Sequence, residues 1–281
     1  MSPPLVSVCI PLYNSGLYIR EAIESVLAQT LTDWELIITD DGSTDGSEEI
    51  VSSYSDPRIR YLLNPERLGA EGNWNRCVNE GRGIYRKLLC HDDRLHSDCL
   101  ARQVAVFEQP GKESVSLVTA ARRIISPEGK TILTRRWKSC DQQISSCDAI
   151  RQIVRSGTNL IGEPGSALFR ASDWSALNGF SARYPYVIDL DFWFQLLKRG
   201  DCFYLAEPLC DFRVSAQSWS FQLAKKQSGQ FTGLIYETAR GDGSGVSTFD
   251  CFAGSCKAKA GALLRHLIYR RVCNIRKEPQ R

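Results

Sequence analysis

The first 110 residues alternate between short apolar segments and segments with helical spacing. The apolar segments predict strands at 5–10, 34–39, 58–63 and 84–90, and the others predict helices at 18–29, 45–54, 70–80 and 97–109. Strands that alternate with helices form a mostly parallel central sheet flanked by helices. This alternation therefore predicts an α/β fold that is Rossmann-like in its first half.

Beyond residue 120 the alternation becomes irregular. A turn sequence at 127–130 predicts a hairpin, because Pro and Gly between two apolar segments are typical of one. The remaining predicted strands are 166–169, 202–206 and 209–214, and the remaining helices are 145–156, 189–199 and one from 171. Because no repeat or low-complexity linker interrupts the chain, we predict one continuous domain over 1–220.

The C-terminal segment is basic and has helical spacing. From residue 251 on, many Lys and Arg residues stand against one acidic residue, Glu278. Its apolar stripe consists of Ala260, Leu263, Leu264, Leu267, Ile268 and Val272. The pattern predicts a helical basic C-terminal extension over 221–281. This extension either packs on the domain and ends in a basic tail, or makes peripheral membrane contact through 251–281 as an interfacial helix on anionic lipid.

The net charge and the cysteine pattern disfavour several classes of protein. The formal net charge of +3 is too small to indicate a nucleic-acid partner. The 11 cysteines are scattered without any C-x-x-C pair, so we predict neither a disulfide framework nor a zinc site. The sequence contains no signal-peptide pattern and no apolar segment of membrane-spanning length. We therefore expect a reducing, cytoplasmic location.

Pairs of aspartates follow two of the predicted strands. Asp40 and Asp41 follow the second strand, and Asp92 and Asp93 follow the fourth. Ligands bind in open α/β sheets at the carboxyl ends of the strands, so we expect these side chains in a site. Adjacent carboxylates repel each other unless a cation lies near them, and Mg²⁺ and Mn²⁺ prefer oxygen ligands. An exposed acidic turn is the alternative, and His91 is expected to be a neutral neighbour.

An acidic residue lies on the apolar side of the last predicted helix of the domain. Asp189 falls on the same side as Ile188 and Phe192, whereas Asp191 falls on the polar face. One interpretation is a helix N-cap, since acidic residues are favoured at helix N-termini. The other is a general base in a partly dry cleft, where burial raises its proton affinity.

Fingerprints of competing enzyme classes are missing. The sequence has no G-x-G-x-x-G after the first strand, no G-x-x-x-x-G-K-[ST] and no G-x-S-x-G. Dinucleotide oxidoreductases, P-loop NTPases and α/β-hydrolases are therefore disfavoured. With three histidines in the chain, a His-based triad or a zinc cage is disfavoured as well.

An ordered series of motifs resembles the family 2 glycosyltransferases, which have the GT-A fold. The matching segments are VSVCIPLYN at 6–14, SVLAQT at 25–30, WELIITDDGSTDGS at 34–47, GAEGNWN at 69–75, DD at 92–93, GEP at 162–164 and GF at 179–180. The resemblance implies a GT-A-type single domain, with a nucleotide-binding half at 1–110 and an acceptor-binding half at 111–220.

The resemblance implies an inverting transfer of a sugar from a UDP-, dTDP- or GDP-sugar to an acceptor hydroxyl. The acceptor would be a saccharide or a lipid-linked saccharide in the synthesis of cell-surface polysaccharide or glycolipid. Asp93 stands where the family coordinates Mg²⁺ or Mn²⁺, and Asp189 stands where it has its catalytic base. The residues in donor-binding positions are Pro11, Tyr13, Asn14, Asp41, Asn75 and Asp92.

Two positions depart from the family pattern. Ile188 replaces the first acid of the family's E-D pair, and Ser215 replaces a histidine that helps to hold the metal or the diphosphate. Arg213 remains as a diphosphate contact, and His91 and Asp191 are secondary candidates. The departures leave open a second hypothesis, a non-catalytic member that binds a nucleotide or scaffolds partners. A sugar-nucleotide pyrophosphorylase is disfavoured, because no Gly-rich phosphate loop follows the first strand.

Overall fold

The structure, a computed structural model, describes residues 3–215, 218–241 and 245–274, without the side chains of residues 220, 224 and 266–274. The strands are β1 Val6–Leu12, β2 Trp34–Asp40, β3 Ile59–Leu63, β4 Tyr85–Leu88, β5 Arg94–Leu95, β6 Val115–Ile125, β7 Thr131–Arg135, β8 Gln142–Ile144, β9 Ala167–Arg170 and β10 Asp201–Arg213. The α-helices are α1 Ile19–Leu27, α2 Ser47–Ser52, α3 Gly69–Asn79, α4 Cys99–Phe107, α5 Ser146–Ser156, α6 Ala171–Ser175, α7 Ile188–Leu197, α8 Trp219–Gln222, α9 Gln227–Arg240 and α10 Thr248–Asn274.

The strands form one sheet in the order β3-β2-β1-β4-β9-β6-β10-β5, with β7 paired to β6 and β8 paired to β10. The pairs β1–β2, β2–β3, β1–β4 and β6–β10 are parallel. Strand β9 runs antiparallel between β4 and β6 and joins the regular first half to the second. The predicted α/β class with a central sheet flanked by helices is confirmed, and so is the hairpin of β6 and β7. The sheet is mixed, since the pairs β4–β9, β6–β9, β6–β7, β5–β10 and β8–β10 are antiparallel.

Two prolines explain where the predicted strand boundaries differ from the structure. β1 continues through the buried Pro11, which lies beyond the last β1–β4 pair, so its missing N–H breaks no ladder bond on that side. The predicted strands at 202–206 and 209–214 are one strand, β10, whose register to β6 shifts on both sides of Pro208. The shifts accommodate the lost hydrogen bond without ending the strand.

Helices cover both faces of the sheet, and alternate residues of β1 belong to different cores. Val8 and Ile10 belong to the core that includes α1 and α4, whereas Cys9 belongs to the core that includes α3, α5 and α7. Phe231 of α9 and Cys251 of α10 belong to this second core as well. The hydrophobic core therefore continues beyond residue 220, and the domain boundary at that residue stays a prediction.

A close crossing holds the first part of α10 against α5. A Cβ on Gly254 would lie 1.9 Å from the carbonyl oxygen of Val154, so only glycine lets the two backbones approach this closely. Near the start of α10, the buried Asp250 forms ion pairs with Arg151 at 3.1 Å and Arg155 at 3.3 Å. These contacts fix α10 to the body of the protein.

The outer side of α10 exposes apolar side chains. Phe252 is 61% exposed, Leu263 is 66% exposed, and Leu264 and Phe249 are exposed too. Of the stripe predicted for this segment, Leu267, Ile268 and Val272 lie outside the described side chains. In the part of the chain that the structure describes, no helix combines the length and the apolar character that a bilayer-spanning segment needs.

Candidate active site

The carboxylate of Asp41 lies at the N-terminus of α3. Its Oδ1 accepts hydrogen bonds from Leu68 N at 2.7 Å and Asn64 Nδ2 at 2.7 Å, and its Oδ2 accepts one from Gly69 N at 2.9 Å. A negative charge is favoured there, because the first backbone N–H groups of a helix have no acceptor within the helix. Asp41 thus fixes the loop after β2 to α3, and its contact with a nucleobase stays a prediction.

Asn73, which the sequence analysis did not select, ties the ends of β1 and β2 together. Its Nδ2 donates to Leu12 O at 3.2 Å and to Thr39 O at 3.1 Å, and its Oδ1 accepts from Asn64 Nδ2 at 3.0 Å. Because Asn64 also donates to Asp41, one buried network holds this edge of the sheet. The only sequence signal for Asn73 is its place in the 69–75 motif.

The amide of Asn75 binds the main chain of Phe180. Its Nδ2 donates to Phe180 O at 2.9 Å, and its Oδ1 accepts from Phe180 N at 2.8 Å. The preceding Gly179 has a φ of +73°, and a Cβ there would lie 2.5 Å from Asn75 Oδ1. These contacts give Asn75 a positioning role, and its contact with the nucleotide stays a prediction.

Tyr13 and Asn14 form a partly exposed surface beside the loop after β2. Asn14 has a φ of +48°; its N–H donates to Ser43 Oγ at 3.0 Å, and its Oδ1 accepts from Thr44 N at 2.9 Å. The guanidinium carbon of Arg67 lies 4.1 Å from the centre of the Tyr13 ring. The two predicted donor-binding residues are therefore close together, and Arg67 adds a positive charge beside them.

Asp92 and Asp93 lie just after β4, at the carboxyl end of the sheet. Asp93 is buried, and its Oδ1 accepts a hydrogen bond from Arg213 N at 2.9 Å. Burial raises the pKa of Asp93 well above its usual range, and the charge of Asp92 adds to the rise. The preceding His91 has a buried Nδ1 without a hydrogen-bond partner among the described residues. The negative charges of Asp92 and Asp93 therefore repel each other, and the nearby Arg213 balances them only in part.

Arg213 is fully buried, and its contact with a diphosphate stays a prediction. Its Nε donates to Asp92 O at 2.8 Å, its Nη1 donates to Pro127 O at 2.8 Å, and its Nη2 pairs with Glu21 at 2.6 Å. The guanidinium also lies 4.4 Å from the centre of the Tyr18 ring. Arg213 therefore holds the turn that carries Asp92 through its hydrogen bond to the Asp92 carbonyl.

Asp189 lies in the first turn of α7, at the wall of a cleft. Its Oδ2 accepts a hydrogen bond from Asn159 Nδ2 at 2.9 Å, and its Oδ1 accepts one from Leu190 N at 2.8 Å. Burial raises the pKa of Asp189 to about 7, and the negative charge of Glu163 contributes to the rise. The interpretation of Asp189 as a helix N-cap is wrong, because the N-cap of α7 is Val187 and no side chain caps this helix. The general base stays a prediction.

Glu163 connects this carboxylate with the aspartates after β4. It forms an ion pair with the buried Arg122, and its charge raises the pKa of Asp93 as well as that of Asp189. Burial also raises the pKa of the Cys90 thiol, and nearby carboxylates add to that rise. These carboxylates are Asp93, Asp92, Asp189 and Glu163. These four carboxylates, from both halves of the chain, are therefore close enough to the Cys90 thiol to act on its charge.

Asp191 does not belong to this cluster. It lies near Lys198, as the predicted polar face implies, but it is only 7% exposed. Its Oδ1 lies 3.7 Å from Arg183 Nη2, and Arg183 in turn pairs with Glu237 of α9. Burial raises its pKa, and the charge of Arg183 opposes the rise. Asp191 thus faces α9.

Residues 7–173, more than half of the chain, match the family model described as Glycosyl transferase family 2. The chain belongs to this family. It is 33% identical over 204 residues to the uncharacterized protein MT1568 of Mycobacterium tuberculosis, an alignment that covers 70% of this chain and 63% of the relative. The chain thus spans less than two thirds of that relative's length.

Solved structures share the GT-A fold of the chain. TarS of S. aureus, residues 1–349 in complex with UDP-GlcNAc, superposes with a TM-score of 0.67 at 18% identity, covering 95% of this chain and 74% of that one. The mannosyltransferase PcManGT of Pyrobaculum calidifontis, in complex with GDP-Man and Mn²⁺, gives a TM-score of 0.59 at 16% identity, covering 99% and 77%.

Both departures from the family pattern are buried in this chain. Ile188 is 3% exposed and belongs to the second core, so an apolar residue takes the position of the pair's first acid. Ser215 is buried, and its Oγ accepts a hydrogen bond from Ser218 N at 3.1 Å. Neither side chain supplies a charge to the carboxylate cluster.

Proposed function

We propose that the protein transfers a sugar from a nucleotide-diphosphate sugar to an acceptor hydroxyl, with inversion at the anomeric carbon. The observation that carries the proposal is the carboxylate of Asp189, whose pKa lies at about 7 in a cleft beside the other carboxylates around Cys90. A general base is most effective when its pKa lies near the working pH. TarS with UDP-GlcNAc and PcManGT with GDP-Man support a nucleotide-sugar donor.

In the proposed reaction, Asp189 accepts the proton of the acceptor hydroxyl while the hydroxyl oxygen attacks the anomeric carbon. The bond between that carbon and the diphosphate breaks in the same step, so the nucleotide diphosphate leaves from the opposite face and the configuration inverts. The Nδ2 of Asn159 holds the Oδ2 of Asp189 and also donates to Gly162 O, which orients the carboxylate before the substrate arrives.

The Asp92–Asp93 pair fits a hard divalent cation such as Mg²⁺ or Mn²⁺. Both side chains offer oxygen ligands. Burial raises the pKa of Asp93, and a cation would relieve the repulsion from Asp92 that adds to this rise. When bound, such an ion stabilises the charge that develops on the leaving diphosphate. Among the described residues, no group of three or more His, Cys, Asp or Glu side chains could hold a metal. The diphosphate would therefore supply further ligands, and the Mn²⁺ bound with PcManGT supports this role.

Asp93→Asn is expected to lower Mn²⁺-dependent hydrolysis of the donor by about 100-fold or more, because an amide is a poorer ligand for a hard cation. The amide oxygen can still accept the hydrogen bond from Arg213 N, so the fold should persist. The measurement is a Mn²⁺ titration of hydrolysis, with the exposed Asp98→Asn as the control. Full activity of the unaltered protein in the presence of EDTA would contradict a metal role.

A non-catalytic member that binds a nucleotide is the second candidate, and Ile188 and Ser215 favour it. A thermal-shift screen of UDP-, dTDP- and GDP-sugars with Mn²⁺, followed by an assay of slow donor hydrolysis, separates the candidates. A sugar nucleotide that binds the folded state raises Tm by mass action. Binding with hydrolysis supports a transferase, and binding without hydrolysis or transfer supports the second candidate. Binding of none of these donors contradicts both.

We further propose that the protein acts at the cytoplasmic face of a membrane, on a polysaccharide or lipid-linked precursor. The described cysteines are free thiols, as expected in a reducing compartment. Phe252 and Leu263 are 11 positions apart, which is close to three helical turns, so they share one exposed face of α10. Lys257 and Lys259 lie between them and would attract anionic lipid.

The double variant Phe252→Ser with Leu263→Ser is expected to reduce sedimentation with phosphatidylglycerol vesicles at low salt by about threefold or more. The reason is that both apolar side chains are exposed and their loss removes apolar area that the lipid would bury. Leu17→Ser, at a position that is 65% exposed but outside α10, is the matched control. Equal sedimentation of the double variant and the unaltered protein would exclude this contact.

A further inference from the structure

The C-terminal helices contribute one wall of the cleft beside Asp189. Gln227 and Phe231 of α9 and Arg265 of α10 line this cleft together with Asp189 and Tyr186. The match to the family model ends at residue 173, long before α9 begins. A part of the chain that lies outside this match thus borders the side chain of the proposed base.

One buried amide joins two residues of this wall. Gln227 is 2% exposed, and its Oε1 accepts hydrogen bonds from Arg265 Nε at 2.6 Å and from Tyr186 Oη at 3.1 Å. A guanidinium group can only donate, so the oxygen of the amide and not its nitrogen must face Arg265. The helices α9 and α10 and the turn before α7 therefore meet at a single acceptor atom.

The same face of α9 also holds the main chain of this turn. The N–H of Tyr186 donates to Gln230 Oε1 at 2.6 Å, and a Cβ on Gly233 would lie 2.8 Å from Cε1 of Tyr184. Both residues follow the buried amide at intervals of three positions, so they lie along one side of the helix. Because Asp189 comes three residues after Tyr186, α9 is packed against the segment that leads to the proposed base.

The protonation of Asp189 depends on how dry this cleft is. Burial is the main cause that raises its pKa to about 7; the charge of Glu163 adds to the rise, and the charge of Arg122 opposes it. Neither of these charges comes from α9, whose Glu237 is paired with Arg183. The contribution of α9 is therefore to help to enclose the cleft.

We infer that Gln227 is a positioning residue for Asp189, because it joins Tyr186 to Arg265 and so closes the cleft wall beside the proposed base. This inference rests on the proposed function, since it concerns the base of that reaction. Without the acceptor, a phenol and a guanidinium group lose their hydrogen bonds and take water instead. Water in the cleft favours the charged carboxylate, which makes Asp189 a weaker base.

Gln227→Met is expected to lower the pKa of Asp189 by about one pH unit, because Met keeps the length of the side chain but removes the acceptor oxygen. The measurement is an NMR titration of the carboxyl carbons in the full chain labelled with ¹³C at aspartate. The signal of Asp189 is assigned by its absence in Asp189→Asn. Gln227→Asn, which withdraws the oxygen by one methylene, is a second variant and should change the pKa in the same direction.

Donor hydrolysis gives an independent readout of the same change. In Gln227→Met the fall of the rate at acidic pH should begin about one pH unit lower, and the rate at the plateau should drop about threefold or more. The donor-induced shift in Tm should stay unchanged. A lower Tm of the free protein with an unchanged pH profile would show that α9 only stabilises the fold, and it would overturn the inference.

Three further variants separate the closed wall from other effects. Gln227→Glu keeps an oxygen acceptor for both donors, so it should not lower the pKa of Asp189. Thr232→Val is the matched control on α9, because the buried Oγ1 of Thr232 has no hydrogen-bond partner among the described residues. In Gln227→Met combined with Arg265→Met, the fall in the pKa should persist, since no released guanidinium can then act on Asp189 by its charge.

The outcomes that overturn the inference differ from those that overturn the transferase. An unchanged pKa of Asp189 in Gln227→Met, an equal fall in Gln227→Glu, or no fall once Arg265 is replaced as well would each overturn the inference. Donor hydrolysis that depends on Asp189 would keep the proposed function in all three cases. A protein that shows the expected fall but binds and hydrolyses no donor keeps the role of Gln227 in shielding Asp189 and loses the transferase.

Discussion

Asp189→Asn is expected to lower the rate of glycosyl transfer by about 10²- to 10⁴-fold while donor binding stays nearly unchanged. The amide cannot accept the proton of the acceptor hydroxyl, but its oxygen can still accept the hydrogen bond from Asn159. The side chains around it should therefore keep their places. The measurements are single-turnover transfer or, without a known acceptor, donor hydrolysis, together with the donor-induced shift in Tm.

Asp191→Asn is the matched control for this experiment. It changes an acid two positions further along the same helix, which is also buried and also has a raised pKa. Its carboxylate faces Arg183 instead of the cleft, so the variant should retain activity. A loss of activity in Asp191→Asn together with normal turnover in Asp189→Asn would refute the assignment of the base.

The pKa of Asp189 also predicts two opposite pH dependences. The base must be ionised, so kcat/KM should fall about tenfold per pH unit below about 7. The free energy of unfolding depends on pH with the opposite sign, because the pKa of Asp189 in the folded protein lies above the unfolded value of about 3.9. The stability from the protonated carboxyl is present at low pH and is lost as the pH rises to about 7. Asp189→Asn should therefore melt at a higher temperature than the unaltered protein at pH 8, and at the same temperature near pH 4.

The sequence patterns predicted the elements of the first half well, because each predicted apolar segment there contains one strand with turn residues on both sides. They could not predict that Arg213 is buried, since its partners Glu21 and Pro127 are far away in the chain. Nor could they show that Asp191 is buried, because its partner Arg183 and the Glu237 that pairs with Arg183 lie outside α7. Local spacing thus predicts which face of an element is apolar but not what covers the other face.

The same limit applies to the candidate site. The strand-end aspartates and Asp189 could be selected because a carboxylate at a sheet edge, or on an apolar helix face, is unusual in itself. Asn159 and Arg265 gave no such signal, since a single Asn in a loop or a single Arg in a basic segment is common. Their roles depend on contacts with Asp189 and Gln227, which only the folded chain brings near them.

Asp211→Asn is expected to reduce the free energy of unfolding at pH 7 by about 1.5 to 3 kcal/mol, because it removes the buried negative charge that accepts hydrogen bonds from the partly exposed Arg94 and Arg123. Asp211 lies on β10 and is buried, and its carboxylate accepts hydrogen bonds from three side chains. These contacts are His96 at 2.9 Å, Arg94 at 2.8 Å and Arg123 at 2.6 Å. Burial alone would raise the pKa of Asp211, but the hydrogen bonds from His96 and Arg123 hold it below its usual range.

The pH dependence of this variant separates the ion-pair network from simple packing. A lowered folded pKa gives stability that is present above the unfolded value of about 3.9 and is lost as the pH falls below it. The difference between Asp211→Asn and the unaltered protein, measured by urea unfolding, should therefore be largest at neutral pH and shrink towards pH 3. Glu207→Gln on the same strand is the matched control, since Glu207 pairs with Arg102 at an exposed position and should change stability by less than about 1 kcal/mol. Arg213 follows Asp211 by two residues on β10, and its N–H donates to Asp93, so Asp211 helps to place β10 beside the candidate site. If the loss of stability in Asp211→Asn does not depend on pH, packing and not the charge of Asp211 holds β10 there.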